Sequence, residues 1–419
     1  IKYFVSGGYQ NEEGMMIKSG FERFNLRTKM DIAFSKKVKL TLNVNPSFDV
    51  KTSPSENFTN FARFPTFLNV YHTEKSAAWV RQNPQYASIQ AGDYAQPRHF
   101  AAQRYEGLMP DGSYWKSTGT VDPFASAQNN PYSSVMNQDI YFKTYRLQAS
   151  GDLTINLLPG LDFKTLGTVY GNAGYGLNWA NRNATGDGIV SKGVYTNTSY
   201  IDLLSENTLN YTKNINKHSI NVLVGFTGQK TMLSSERVTG LDYPSDDIRT
   251  LNTASSIDKP GTVGTKNQIG LVSVLGRVNY GYDNKYLVSA SFRTDGSSYF
   301  GTGKKWGSFP SISGGWVLSK EKFLSNVSWL NNLKLRASYG VSGNNRIVDF
   351  AFLDLLYGAN YTYGGGTGVS SPGLVSSNSF LSNPNITWES TGQTNFGVDL
   401  SLFKNRIGIT LDIYKSKTD

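Results

Sequence analysis

The connections between the predicted strands of this chain alternate between tight polar turns and longer loops. Residue alternation and breaker residues indicate about 13 strands. Every second connection is a short turn: Ser35–Lys37, Leu158–Gly160, Asn214–Asn216, Tyr282–Asn284 and Phe403–Asn405. The longer connections are rich in Gly, Ser, Asn and Tyr, and the longest span residues 52–139 and 345–387. Because a transmembrane β-barrel gathers its short turns at one rim, the pattern predicts next-neighbour antiparallel strands with all short turns on one rim.

Composition favours one β domain. The 419 residues include 42 Gly, 25 Tyr and 23 Phe, and no Pro-rich or charged linker interrupts the strand series. No apolar run reaches the roughly 18 residues that a transmembrane helix needs. We therefore predict that residues 1–419 form one all-β domain, an antiparallel segment of an outer-membrane barrel with long extracellular loops. Cysteine is absent, which excludes disulfides and Cys-ligated zinc.

The net charge of +10 raises the question of nucleic-acid binding. Proteins that bind nucleic acid concentrate Lys and Arg on one face or in one arm, often within a recognisable module. Here the 41 basic residues are scattered over turns and strands. The charge is better explained by solvated loops and a polar barrel interior, so we predict no nucleic-acid partner.

Alternation within the strands separates an apolar face from a polar one. Val288 and Phe292, for example, alternate with Ser289 and Arg293. Half-buried strands of a soluble sheet show the same pattern, but segments such as 144–156 exceed the five or six residues usual there. We predict that the following residues face lipid: Val288, Phe292, Leu333, Leu335, Ile407, Ile409 and Leu411.

Aromatic residues gather near the predicted strand ends, as at Tyr280, Tyr282 and Tyr286. Tyr and Phe favour strands in any β protein, which is the simpler explanation. Because many of these rings lie within a few residues of a turn, we predict girdles of rings at the membrane interfaces.

Several motifs in the second half of the chain resemble the SusC/RagA family of TonB-linked outer-membrane transporters. They are Ser291–Gly301, Gly307–Trp316, Ser319–Leu324, Leu333–Asn344, Asn383–Glu389 and Asn395–Asp399. The resemblance implies a barrel of about 22 strands with an N-terminal plug. It also implies import of oligosaccharides or peptides, driven by the TonB complex through the plug, with a SusD-like surface lipoprotein as partner. The chain is then expected to be an internal piece of the barrel, without signal peptide, plug or terminal strands.

Chemistry-bearing motifs are sparse. The three histidines, His72, His99 and His218, lack metal-ligand spacing, although His72 and His99 share one long loop. Gly301–Lys305 fails the phosphate-loop pattern, and the aspartates near Asp246 lack the calcium-loop pattern. We therefore predict a non-enzymatic protein without cofactor or metal.

The 52–139 connection is the segment most suited to binding. Its aromatic residues lie among Asn, Gln, Asp and Arg. They could stack on a sugar or peptide, form a small core within the loop, or contact the lipoprotein. The predicted site residues are Trp79, Tyr94, Asp111, Tyr114 and Trp115, the last two presented by a turn at Asp111–Ser113.

Three classes of function remain open from the sequence. The first is nutrient import across the outer membrane, in which the extracellular loops at 52–139, 178–194, 231–266 and 345–387 meet the lipoprotein. The second is a scaffold barrel within a larger outer-membrane complex. The third is a soluble β-rich binding protein, which would be distinguished by solubility without detergent.

Overall fold

The computed structural model describes residues 1–101, 104–120, 129–185, 188–324, 326–354, 356–363, 369–376 and 382–419. These described residues include three short α-helices: α1 (Phe58–Arg63), α2 (Glu74–Val80) and α3 (Pro131–Met136). The strands are β1 (Lys2–Glu13), β2 (Gly20–Ala33), β3 (Val38–Ser53), β4 (Glu106–Leu108), β5 (Tyr114–Lys116), β6 (Gln138–Leu158), β7 (Leu161–Ala180), β8 (Lys192–Ile215), β9 (His218–Leu241), β10 (Ser256–Ile257), β11 (Val263–Tyr282), β12 (Tyr286–Ser297), β13 (Trp306–Val317), β14 (Leu330–Asn344), β15 (Leu356–Tyr363), β16 (Val369–Ser376), β17 (Glu389–Leu402) and β18 (Ile407–Thr418).

Thirteen strands follow one another across a single antiparallel sheet, in the order β1-β2-β3-β6-β7-β8-β9-β11-β12-β13-β14-β17-β18. The short β10 pairs with the end of β9, while β4-β5 and β15-β16 form separate hairpins. Each main strand pairs with the next main strand along the chain, and at the tight turns the chain simply reverses beside itself. The predicted strand number and next-neighbour order are confirmed.

The five predicted turns all lie on one rim of the sheet, which confirms the prediction that the short turns share a rim. The strict alternation of connection length is wrong at one place, where residues 318–329 join β13 to β14 on the turn rim. This connection is longer than the 14–19 and 298–305 loops on the opposite rim. It is ordered by a 3₁₀ turn and by Glu321, which accepts hydrogen bonds from Tyr286 and Trp316.

The strands reach further toward the loop rim than the sequence predicts. The predicted loops at 178–194 and 231–266 are reduced to residues 181–191 and 242–262. The cause is pairing on both sides: the polar end of β9 lies between β8 and β11, so its backbone groups are satisfied in the ladder. At about 3.3 Å per residue, β8 and β9 are far longer than a bilayer core is thick.

Strand register divides the whole sheet into one apolar and one polar face, since directly paired residues point to the same side. All seven residues predicted to face lipid share the apolar face, together with residues from every other main strand. Representative members are Val5, Met30, Leu42, Leu153, Phe163, Leu209, Val224, Val278, Val288, Ile312, Leu335, Val398 and Leu411. That this face contacts lipid stays a prediction.

The opposite face carries paired charges and amides. Arg336 binds Asp399 through two nitrogens at 2.8 and 3.0 Å, and Arg146 pairs with the buried Asp49. An amide ladder also crosses neighbouring strands, in which Asn279 donates to Asn221 at 3.2 Å. These contacts satisfy polar groups within the sheet, so this face is suited to water or to another polar surface.

No helix in the described part of the chain combines the length and apolarity needed to cross a membrane.

Turn conformation leads to a prediction at Gly160, which has φ of +84° between β6 and β7. A Cβ there would lie 2.3 Å from the Thr212 carbonyl oxygen, which belongs to backbone and cannot rotate away. We expect Gly160→Ala to lower the free energy of unfolding by about 1–2 kcal/mol or more, because of both strain and contact. Equilibrium unfolding of the full-length protein in detergent measures the change.

Gly167→Ala is the matched control on β7, since nothing lies within 4 Å of a Cβ at that position. Its effect should stay within about 0.5 kcal/mol. Equal stabilities of the two variants would show that the turn at 159–160 does not constrain the fold.

Candidate functional site

Between β3 and β6, on the loop rim, lie the described residues 54–101, 104–120 and 129–137, which we call the loop unit. Helix α2 begins with a capping box between Thr73 and Ser76. Its apolar residues Ala77 and Val80 are fully buried, and with Ile89 they form a small core. The rings that pack against this core are Trp79, Tyr86 and Phe100. Some aromatic residues of the segment thus build the unit itself, which was one of the three interpretations open from the sequence.

A buried amide network joins the loop unit to the neighbouring loop at 181–191. The Gln96 side chain donates to Ser133 and to the Asn183 carbonyl oxygen, both at 3.0 Å. Its oxygen accepts from the Asn130 backbone at 2.8 Å. The Asn130 side chain in turn donates to the Val70 carbonyl oxygen at 2.9 Å. Because these groups are buried and satisfied only together, the network holds the unit in one position.

Two histidines far apart in sequence meet inside the loop unit. His72 Nε2 lies 2.9 Å from His99 Nδ1, and both residues are buried. The Gln96 backbone N–H points at the same His99 Nδ1 at 3.4 Å, which makes this nitrogen an acceptor. His72 then donates through Nε2, and its Nδ1 accepts from the Ser76 hydroxyl at 3.1 Å. In the sequence the two residues share one long loop, but no local pattern predicts that their rings are in contact.

Burial keeps both histidines neutral. Desolvation lowers the pKa of His99 to about 3, and the nearby charge of Arg98 acts in the same direction. Desolvation also lowers the pKa of His72, against a smaller opposing effect of Asp93. Protonation would in addition place an N–H of His99 against two other donors. The pair therefore has a structural role at neutral pH.

An open cleft of about 800 Å³ lies between α2 and the β4-β5 hairpin. Its aromatic wall is formed by Trp79, whose ring centroid lies 5.1 Å from Tyr105 and 5.8 Å from Phe100. The polar lining consists of Lys75, Ser76, Gln82, Arg104, Glu106 and Lys116. Rings beside amide and charged groups are the usual lining of a site for a polar organic ligand.

The five predicted site residues divide between this cleft and its surroundings. Trp79 lines the cleft, whereas Tyr94 pairs with Tyr71 at a ring distance of 5.0 Å. Asp111 closes the hairpin turn by accepting from Ser113 at 2.6 and 2.9 Å, and these bonds lower the pKa of its carboxyl.

The hairpin presents Tyr114 and Trp115, which are 63% and 46% exposed. The cleft residues Lys75, Arg104 and Phe100 were not predicted. Lys75 lies on α2, whereas Phe100 and Arg104 lie in the stretch before β4, and nothing in the sequence indicates that these two segments converge.

A charged cluster around Asp139, which we call the joint, connects two further loops on this rim. Asp139 accepts from Lys18 at 2.7 Å and from Arg249 at 2.5 Å, which links the 14–19 and 242–262 loops. Arg249 also lies over the Trp179 ring at 5.4 Å. Trp179 is buried against Tyr243, so the joint covers the extended ends of β6 to β9.

The histidine pair leads to a prediction about pH. Unfolding returns His99 from its depressed pKa to about 6.5, so the open form binds more protons in acid. The stability of the loop unit should therefore be full above pH 6.5 and fall as the pH drops toward 3, by about 1–2 kcal/mol at pH 5. Hydrogen exchange of residues 54–137 in the full-length protein, corrected for intrinsic rates, measures this loss.

His99→Asn keeps an acceptor near the position of Nδ1 and should remove most of the pH dependence. His218→Gln is the control, since His218 is exposed near the turn rim. Retention of the full pH dependence in His99→Asn would contradict the assignment.

Curated proteins similar to the chain are TonB-dependent receptors. Receptor P39 of Formosa agariphila is 30% identical over 425 residues, which covers the whole chain and 36% of that protein. The receptor SusC of Bacteroides thetaiotaomicron is 28% identical over 450 residues, covering the whole chain and 40% of SusC. The chain thus spans about two-fifths of the length of these relatives. No protein-family model matches it.

A solved structure described as the RagAB peptide transporter shares the fold. It superposes on the whole chain with a TM-score of 0.71 and 21% identity, and the chain covers 42% of it. The sheet is accordingly an antiparallel β-barrel segment. The predicted resemblance to the SusC/RagA family of TonB-dependent receptors is confirmed by the sequence similarity to such receptors, SusC among them, over all 419 residues.

Proposed function

We propose that the full-length protein imports oligosaccharides or peptides across the bacterial outer membrane, using energy from the TonB complex. The observation that carries this proposal is the division of thirteen strands into one continuous apolar face and one polar face. A barrel built from such a sheet has an outside suited to lipid and an inside suited to water. The TonB-dependent relatives named above support the energy source.

Exposure of the apolar face supports a membrane location over a soluble binding protein. Phe292 and Ile312 are 52% and 56% exposed, and similar residues surround them on neighbouring strands. An apolar face this wide would promote aggregation in water. Lipid suits such a face, since the strands between β1 and β18 each have a paired neighbour on both sides in the described sheet.

A row of rings marks the turn end of the same face. Tyr286 lies 6.4 Å from Tyr282 and is stacked on Trp316 at 6.3 Å, and His218 continues the row beside Tyr282. The ring edges are hydrogen-bonded, for Glu321 accepts from Tyr286 at 2.7 Å and from Trp316 at 3.1 Å. Rings with an apolar body and a polar edge suit a bilayer interface, which supports the predicted girdle.

The loop rim is the proposed place for substrate and partner. The loop unit and the 242–262 loop are held there by the amide network and by Asp139. We propose that this rim faces outward, meets a SusD-like surface lipoprotein, and passes substrate to the polar face. Coupling to TonB is assigned to a plug region, for which the greater length of the relatives leaves room. The role is transport and not catalysis.

The lipid assignment leads to a prediction for Arg substitutions. Phe292→Arg should destabilise the folded protein by about 2–4 kcal/mol if its site is near the bilayer midplane. Leu335→Arg should cost less, about 0–1 kcal/mol, because Leu335 pairs with the girdle residue Trp316. Reversible unfolding from phospholipid vesicles gives both values.

Ser291→Arg is the control on the same strand, since Ser291 shares the polar face with Arg293. It should be nearly neutral. A loss at Ser291 as large as that at Phe292 would reverse the facing assignment.

The loop unit leads to a prediction for import. Replacing residues 105–118 of the intact protein by a short Gly-Ser linker should abolish growth on the substrate or co-purification of the lipoprotein. The replacement removes the β4-β5 hairpin and leaves the strand ladder intact. Growth, partner capture and surface labelling are measured together.

Shortening the 298–305 loop on the same rim is the control, and it should preserve import. Tyr114→Ala with Trp115→Ala tests the exposed rings without removing the hairpin. Normal growth and normal partner capture after the 105–118 replacement would show that the hairpin has no part in import.

A further inference from the structure

We propose that the cleft between α2 and the β4-β5 hairpin binds an oligosaccharide that carries carboxylate or sulfate groups. The inference rests on the proposed import function and adds the charge class of the substrate. It is drawn from the arrangement of rings and charges around the cleft.

The charges lining the cleft are unbalanced. Three cations, Lys75, Arg104 and Lys116, face one carboxylate, Glu106. Lys116 lies 3.1 Å from Glu106, so these two charges compensate each other. Lys75 and Arg104 form no ion pair within the residues that the structure describes. The two remaining positive charges favour an anionic ligand.

Glu106 does not act as a competing acceptor. Lys116 and the Tyr114 hydroxyl bind its carboxylate and lower its pKa, so the group stays ionised and paired. Its negative charge is thereby fixed on the hairpin side of the cleft. Lys75 on α2 and Arg104 before the hairpin are left to meet the ligand.

The aromatic wall favours a sugar over a peptide. Trp79 is half-buried, and Tyr105 is oriented by the bond from its hydroxyl to the Phe100 carbonyl oxygen at 2.5 Å. Fixed rings of this kind offer flat apolar surface for the face of a sugar ring. Gln82 adds an amide for hydroxyl groups. A peptide held by strand addition would instead need a row of free backbone groups.

Isothermal titration calorimetry tests the proposal by measuring how tightly the purified full-length protein, in detergent, binds matched charged and neutral oligosaccharides. Hexagalacturonate is compared with its fully methyl-esterified form, which has the same rings without the charges. A sulfated galactan hexasaccharide is compared with its desulfated form. We expect at least one charged sugar to bind about tenfold more tightly than its neutral counterpart, with an affinity that falls with salt.

The variant Lys75→Gln with Arg104→Gln should remove this preference for charge and leave the weak binding of neutral sugars unchanged. Arg81→Gln is the matched control, since Arg81 follows α2 but does not line the cleft. It should bind like the wild type. Trp79→Phe should weaken charged and neutral sugars alike.

Three results would overturn the proposal: equal affinity for charged and neutral sugars, an unchanged preference in the double variant, or tighter binding of a hexa-aspartate peptide than of every charged sugar. The first two would leave the import function intact if the 105–118 replacement still blocks growth. Failure of that replacement to affect import, with the charge preference retained, would instead contradict the proposed function and leave the cleft assignment standing.

Discussion

The hydrogen-bond ladder between neighbouring strands is the constraint on which the other features depend. In lipid no water can satisfy a backbone group, so each strand must be paired along its length. Pairing fixes register, and register decides which side chains share a face. Val278, Ala290 and Ile312 therefore lie in one row on the apolar face, while Asn279, Ser289 and Ser313 lie in a row on the polar face. A shift of one residue would reverse both rows.

The same ladder carries the loop rim. Strands β6 to β9 have 20 to 24 residues, and their pairing continues well past the length that a bilayer needs. This extension supplies a rigid wall for segments that have too little apolar area to fold alone. The loop unit is attached through Gln96 to Asn183, and the 242–262 loop through Arg249 to Asp139. These polar bonds fix the position of the loop segments, as a larger hydrophobic core would in a bigger domain.

Charges on the polar face of the sheet are arranged differently from those in the cleft of the loop unit. On the polar face of the sheet Arg336 is matched by Asp399, and Arg146 by Asp49. In the cleft of the loop unit Lys75 faces open space. A cation paired inside a sheet stabilises local structure and offers little to a ligand, whereas an unpaired cation beside a fixed ring can bind an anion. This contrast is why the cleft, and not the sheet, is the proposed place of recognition.

The sequence alone determined the strand number, the next-neighbour order, the sorting of turns and the apolar face around Phe292, because period-2 alternation and turn residues act locally. It also carried the family resemblance in the motifs after residue 291. It did not locate the end of β9 or the start of β11, where Ser, Thr and Asn resemble a loop: the end of β9 is held between β8 and β11, and the start of β11 is held by β9. Only the tertiary structure brought His72 to His99 and Lys75 to Arg104, because contacts between residues so far apart are set by packing and leave no local pattern in the chain.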